Sequence, residues 1–205
     1  MMWWATGDEH LNHGNIISKF IFRPFRDAAA MNAELIKRHN ERVKPGHTVY
    51  HIGDFKVSTD GPSVHELTAM LNGNHVFING NHDKRNGLNT PLKFCIIESY
   101  GRQIVLAHKP EDCNFIMGLL GINLGFCGHI HITWKFRKAE HGDLVNVGVD
   151  QWGYYPVDAK QIFKVYKNWL REGCPDTGIP AKTRQGDTDG SEVVSVVAGI
   201  NGNEV

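Results

Sequence analysis

The sequence is short of charge imbalance, cysteine pairs, long apolar runs and internal repeats, and each absence excludes something. Lys plus Arg number 22 and Asp plus Glu number 22, so the formal net charge is zero. A general electrostatic hold on DNA, RNA or an anionic membrane needs a cationic excess, so no extended nucleic-acid binding is expected. The four cysteines, Cys95, Cys113, Cys127 and Cys174, form no CxxC pair. That spacing argues against a zinc knuckle, a thioredoxin-like motif or a dense disulfide framework, and reads as reduced, structural thiols. Residues 1–10 carry no basic segment followed by an apolar one, which predicts no signal peptide. The longest apolar-looking stretch, Phe115 to Cys127, is too short and too interrupted by Gly and Asn to span a bilayer. The expectation is a soluble, cytoplasmic protein with no membrane attachment.

What is present is an ordinary globular composition with one exception. The 205 residues are 41% hydrophobic and 21% charged, enough for one domain with a sizeable core. The exception is histidine, which occurs 12 times.

Strands and helices alternate along the first half. Met2 to Thr6 reads as a buried strand, Thr48 to Ile52 as a second and Val76 to Ile78 as a third. Between them, Asp27 can cap a helix running to Val43, stopped by Pro45-Gly46. Ser63 and Glu66 form a capping box for a second helix reaching about Leu71. Beyond residue 90 consecutive strands are expected: a hairpin of Phe94–Glu98 and Gln103–Ala107 around Tyr100-Gly101, then Leu124–Cys127 and Leu144–Val149. Asp158 can cap a last helix ending at Gly173. Residues 180–191 have almost no core-forming side chains and read as a mobile linker, with an apolar segment at 193–200. A folded domain over 1–172 with a flexible extension over 173–205 is the expected organisation.

Five small polar clusters each follow an apolar run: Asp8-Glu9-His10, Gly53-Asp54, Gly80-Asn81-His82-Asp83, Ala107-His108 and Gly128-His129-Ile130-His131. Each alone is weak, since Asp-x-His or Gly-Asp is usually a turn. Together, at the ends of strands, they can converge at one sheet edge, where ligands bind in α/β architectures. Their oxygen and nitrogen donors, with no thiolate, suit first-row divalent metals.

In this order the clusters resemble the calcineurin-like metallophosphoesterases, whose blocks are D-x-H, G-D, G-N-H-[DE], H and G-H-x-H. The resemblance covers about residues 2–158. It is strongest to small bacterial and phage-type members, through Asp8 to Ile17, Arg23-Pro24-Phe25 and Asn146-Val147-Gly148-Val149-Asp150. It implies an α/β (α+β) sandwich of two mixed sheets flanked by helices. It also implies a centre of two divalent metals, Mn²⁺ first and Ni²⁺, Fe²⁺ or Zn²⁺ as alternatives. One metal would take Asp8, His10 and His131, the other Asn81, His108 and His129, with Asp54 bridging. His82 would protonate the leaving oxygen, and Asp83 would orient its imidazole.

The residue types fit that chemistry. Two metals about 3.5–4 Å apart clamp a phosphoryl group and generate hydroxide near neutral pH. Only two of the implied ligands are anionic, so two dications leave a local charge of roughly +2 that draws in a phosphate ester. His13 and Arg23 are candidate contacts to the substrate phosphate, and Lys109 could steer an anion. His39, His47, His65 and His141 read as surface or cap residues, and His51 and His75 as satisfied core histidines. Trp3, Trp4, Trp134 and Trp152 read as packing residues, the last two being the better candidates for lining the cleft.

The expected function is hydrolysis of a phosphodiester or small phosphomonoester, with a nucleotide among the candidate substrates. A Ser/Thr protein phosphatase is disfavoured, because those enzymes carry Gly-Asn-His-Glu and an Asp-Arg-Gly continuation, and Gly53-Asp54-Phe55-Lys56 lacks the latter. A non-catalytic binding scaffold, as in the retromer subunit of this fold, is a further alternative. Scaffold members lose ligands or the acid histidine, which are all present here.

Overall fold

The computed structural model describes residues 2–84, 86–175 and 177. In chain order the elements are β1 (Trp3–Thr6), α1 (Ala28–Arg42), β2 (Thr48–Ile52), α2 (Val64–Ala69), β3 (Asn74–Ile78), β4 (Phe94–Ser99), β5 (Arg102–Ala107), α3 (Pro110–Leu120), β6 (Leu124–Cys127), β7 (Phe136–Ala139), β8 (Gly142–Asn146), β9 (Val157–Asp158) and α4 (Ala159–Arg171). They build two mixed sheets, ordered β3-β2-β1-β9 and β4-β5-β6-β8-β7. The pairs β1/β2, β2/β3, β5/β6 and β6/β8 are parallel; β9, β4 and β7 pair antiparallel at the edges.

The main core lies between the sheets. Ala5, Ile52 and Ile78 from the first sheet meet Ile104, Leu106, Leu124, Phe126 and Val145 from the second. Ile162, Phe163, Tyr166 and Trp169 of α4 close one end. The second sheet is buried on its other face too: Val105, Ala107, Cys127 and Leu144 pack under Cys113 and Met117 of α3. Strands covered on both faces read as unbroken apolar runs rather than alternations, which is the pattern of Ile104–Ala107 and Leu124–Cys127. On the far side of the first sheet, α1 sets Met31 and Leu35 against Leu11, Ile16, Phe55 and Leu67.

The local start signals act as expected. Asp27 accepts from the Ala30 amide at 2.8 Å, and Ser63 and Glu66 form the reciprocal capping box. Tyr100 and Gly101 both take positive φ (52° and 69°), the geometry of a two-residue hairpin turn whose twist matches its strands.

Other segments differ from expectation. A helix, α3, fills residues 110–120, with Pro110 in its first turn and Gly121 left-handed at its end. β3 begins two residues early, at Asn74. The strand expected over Leu144–Val149 stops at Asn146, and Val149–Gln151 forms a 3₁₀ turn. The expected linker at 180–191 and the apolar segment at 193–200 lie outside the described residues. All four cysteines are free thiols. Trp134 and Trp152 are packed in the cores, and Trp134 also lines a cavity with Arg137 and Trp169. Among the described residues, no helix is long and apolar enough to cross a membrane.

Candidate metal centre

Each of the five clusters leaves the C-terminal end of a parallel strand: β1, β2 and β3 in one sheet, β5 and β6 in the other. The two sheets bring those ends together. Asp8, His10 and His131 form one group of potential ligand atoms, and Asp54, His108 and His129 form a second, each within 4.8 Å. Both groups draw on both sheets, so the folded sandwich creates them.

The loops are tightly built. Asp8, His10, Asp54, His129 and His131 all lie in the left-handed region, with φ between 46° and 72°. Asp and His tolerate that region better than most side chains, but each such residue needs support from its surroundings. Gly53 (φ 80°) is required twice over, because a Cβ there would fall on the His108 imidazole.

Asp54 Oδ2 stands between the groups, 3.5 Å from His10 Nε2 and 3.3 Å from His108 Nε2. Asn81 joins the second group, its Oδ1 2.9 Å from His108 Nε2. The His82 amide donates to Asp54 Oδ1 at 2.8 Å, and its exposed ring lies 5.3 Å from that of His10. Half-buried His13 sits alongside, its Nδ1 3.1 Å from His10 Nδ1.

No family model matches the chain. An uncharacterized protein of Methanocaldococcus jannaschii is 36% identical over 167 residues, spanning 79% of this chain and 89% of the relative. A protein of unknown function from Aquifex aeolicus has a similar structure, with TM-score 0.66 and 24% identity over 80% of this chain and 98% of that one. A novel archaeal phosphodiesterase is more distant, at TM-score 0.44 and 20% identity over 72% and 84%. The five ordered motif blocks meet at one edge of a two-sheet sandwich. Those blocks are the ones by which the sequence resembles the calcineurin-like metallophosphoesterases.

The residues present suit divalent metal ions. His10 Nε2 is buried without a hydrogen-bond partner, an orphan that a cation would satisfy. His108 Nδ1 donates to the Ile52 carbonyl at 2.9 Å, and His131 Nδ1 to Asp150 Oδ2 at 2.8 Å. In both rings this outer partner leaves Nε2 free to ligate, the usual arrangement around a metal-bound histidine.

Electrostatics point the same way. Burial holds His10 well below the usual histidine range, in the neutral form that ligates, and lowers His129 as well. Burial also pushes Asp8 up. Burial opposes charge on His108, yet its hydrogen bond to Asp54 and the two nearby carboxylates raise it to about 9. Asp54 in turn is held below the usual carboxylate range: burial pushes it up, but His108 outweighs that. A cation held by His108 and Asp54 would therefore bind in competition with a proton on His108.

Three expectations need correction. Asp83 does not orient His82: its buried carboxylate accepts from the Asp54, Phe55 and Gly80 amides at 2.8, 3.0 and 2.8 Å. It therefore ties the second and third motif loops together. Arg23 is not a substrate contact. It is 2% exposed and pairs with Asp150 through two 2.8 Å bonds. His39 is not a surface residue. It lies on the buried face of α1, 5% exposed, with Nε2 2.9 Å from the Asn72 carbonyl. It stacks on His51, which bonds Glu9 at 2.6 Å and His75 at 2.9 Å. Glu9, although flanked by two candidate ligands, thus faces away from the metal groups.

Asp150 and Asn146 went unrecognised as site residues, although both stand in the string that carried the closer resemblance. Asn146 Nδ2 donates to the His131 carbonyl at 2.8 Å and so fixes the last motif loop.

Proposed function

We propose that the chain is a two-metal phosphoesterase hydrolysing phosphodiesters or small phosphomonoesters, with His82 protonating the leaving oxygen. The observation that carries this reading is the position of Asp54 Oδ2, within 3.5 Å of a ligand nitrogen on either side. One carboxylate oxygen there serves both groups. The first cation would be held by Asp8, His10 and His131, the second by Asn81, His108 and His129. The oxygen and imidazole donors favour Mn²⁺, with Ni²⁺, Fe²⁺ and Zn²⁺ also compatible. Two such cations supply Lewis-acid charge against the phosphoryl oxygens and acidify the attacking water.

The chain's own residues do the rest. Asp54 Oδ1 fixes the backbone of His82, so the imidazole stands at the exposed mouth of the site. An imidazole there can hand a proton to an alkoxide or phenoxide as the bond to phosphorus breaks. His13, beside both His10 and His82, offers a second imidazole to a phosphate oxygen. Asn81, as a neutral ligand, keeps the local charge attractive to an anionic ester where a carboxylate would reduce it.

The test is hydrolysis of bis-p-nitrophenyl phosphate by Mn²⁺- or Ni²⁺-loaded protein, followed by nucleotides, cyclic nucleotides and phosphomonoesters. Metal-dependent turnover of an ester is expected. Protein that binds two metals yet turns over none of these is a binding scaffold, and the proposal falls.

A further inference from the structure

Arg23 and Asp150 form a buried pair behind only one of the two ligand groups. Their side chains are 0% and 1% exposed. The Arg23 fork is fully used: Nε and Nη2 each donate to Asp150 at 2.8 Å, Nη2 also to the Asp8 carbonyl at 2.6 Å, and Nη1 to the Glu9 carbonyl at 2.8 Å. Asp150 Oδ2 turns its remaining capacity to His131 Nδ1 at 2.8 Å. One guanidinium therefore grips the backbone of the left-handed Asp8 loop and, through one carboxylate, the ring of His131. A planar five-donor fork can do both at once; an ammonium cannot.

Among the described residues, the second group has no such arginine–carboxylate pair behind it. His108 is oriented by the Ile52 backbone carbonyl, and Asp54 by the Asp83 carboxylate through its amide. Different partners thus orient the histidines of the two groups, although the Asp8 carboxylate also accepts from the His129 amide at 2.9 Å.

Resting on the two-metal reading above, we propose that Arg23 and Asp150 are positioning residues for the Asp8–His10–His131 metal alone. Asp150 sets the His131 tautomer that leaves Nε2 toward the metal, and Arg23 locks Asp150 to the Asp8–Glu9 backbone. Losing either should cost affinity at that metal and spare the other.

The test is Mn²⁺ titration of wild type, Asp150→Asn and Arg23→Lys by calorimetry, with electron paramagnetic resonance to separate a spin-coupled pair from an isolated ion. Asn keeps the shape of Asp150 but loses its charge and sets an NH₂ against a donor of Arg23 in either orientation. Both variants should bind one Mn²⁺ about 10–100-fold more weakly, the usual cost of losing an outer partner of a ligand. The other affinity should be unchanged, and the signal at limiting metal should be that of an isolated ion. Thermal unfolding of the metal-free proteins measures the structural role separately. If stability drops while both metals weaken by the same factor, or if the coupled signal survives with unchanged affinities, the positioning role is wrong. Wild type that fails to take up two ions removes the two-metal reading, and this proposal with it.

Discussion

Replacing Asp83 by Asn distinguishes a structural carboxylate from a catalytic one. Oδ2 accepts from the Asp54 and Gly80 amides, both at 2.8 Å; Oδ1 accepts from the Phe55 amide at 3.0 Å and Asn86 Nδ2 at 3.2 Å. The side-chain amide of Asn turns an NH₂ toward one of those donor pairs, whichever way it is flipped. Two of four bonds are lost, each worth about 1.5–3 kcal/mol when the acceptor is charged, so the fold should lose about 3–6 kcal/mol. With a urea m-value of about 2 kcal/mol per molar, the unfolding midpoint of the metal-free protein should drop by about 1.5–3 M. Had Asp83 oriented His82, the same change would barely touch stability and would lower kcat by up to about 10⁴. A loss under about 1 kcal/mol together with a collapse in kcat would refute the assignment.

Three further outcomes are expected. His82→Ala should lower kcat for an activated diester by about 10²–10⁴, while elemental analysis finds the same bound metal as in wild type. Asp54→Asn should reduce occupancy at both metals in that measurement; loss at one alone would contradict a shared oxygen. The third concerns pH. Burial depresses His39 from its ordinary 6.5 to about 3, so it stays neutral in the fold while the unfolded chain takes up a proton below pH 6.5. Its contribution to stability is therefore present above pH 6.5 and is lost as pH falls toward 3, at up to about 1.4 kcal/mol per pH unit. Denaturation of metal-free His39→Gln across that range should show a shallower fall than wild type.

The legible parts of this chain are those whose signal is local. Asp27 caps α1 and Ser63–Glu66 caps α2 within three residues of themselves, so both starts could be read directly. The ligand clusters were legible because each follows an apolar run, and a strand end is where such a run delivers its polar residues. Helix α3 was obscured because its Phe115 and Leu119 are exposed while Cys113 and Met117 face the sheet, which blurs the apolar face. Asp83 and Arg23 were misjudged for a different reason. A charged residue beside a motif looks like part of the chemistry, and only the tertiary structure shows that Asp83 meets amides from a loop 28 residues away and Arg23 a carboxylate 127 residues away. Asp150 had no signal of its own, since its partners, Arg23 and His131, lie 127 and 19 residues away.

The left-handed backbone at five of the seven proposed ligands bears on how such a chain can evolve. A non-glycine residue in that region costs of order 1 kcal/mol or more, so the ligand loops hold back about 5 kcal/mol from a fold whose whole margin is typically about 5–15 kcal/mol. Selection for the site must renew that expense in every generation. In a lineage that no longer needs the proposed metals, replacing His10 or His129 by glycine relieves that strain, whereas the Asp8 and Asp54 carboxylates also hold the His129 and His82 amides. The strained histidines are thus the first ligands such a lineage would be expected to lose, and the two carboxylates that anchor backbone amides the last.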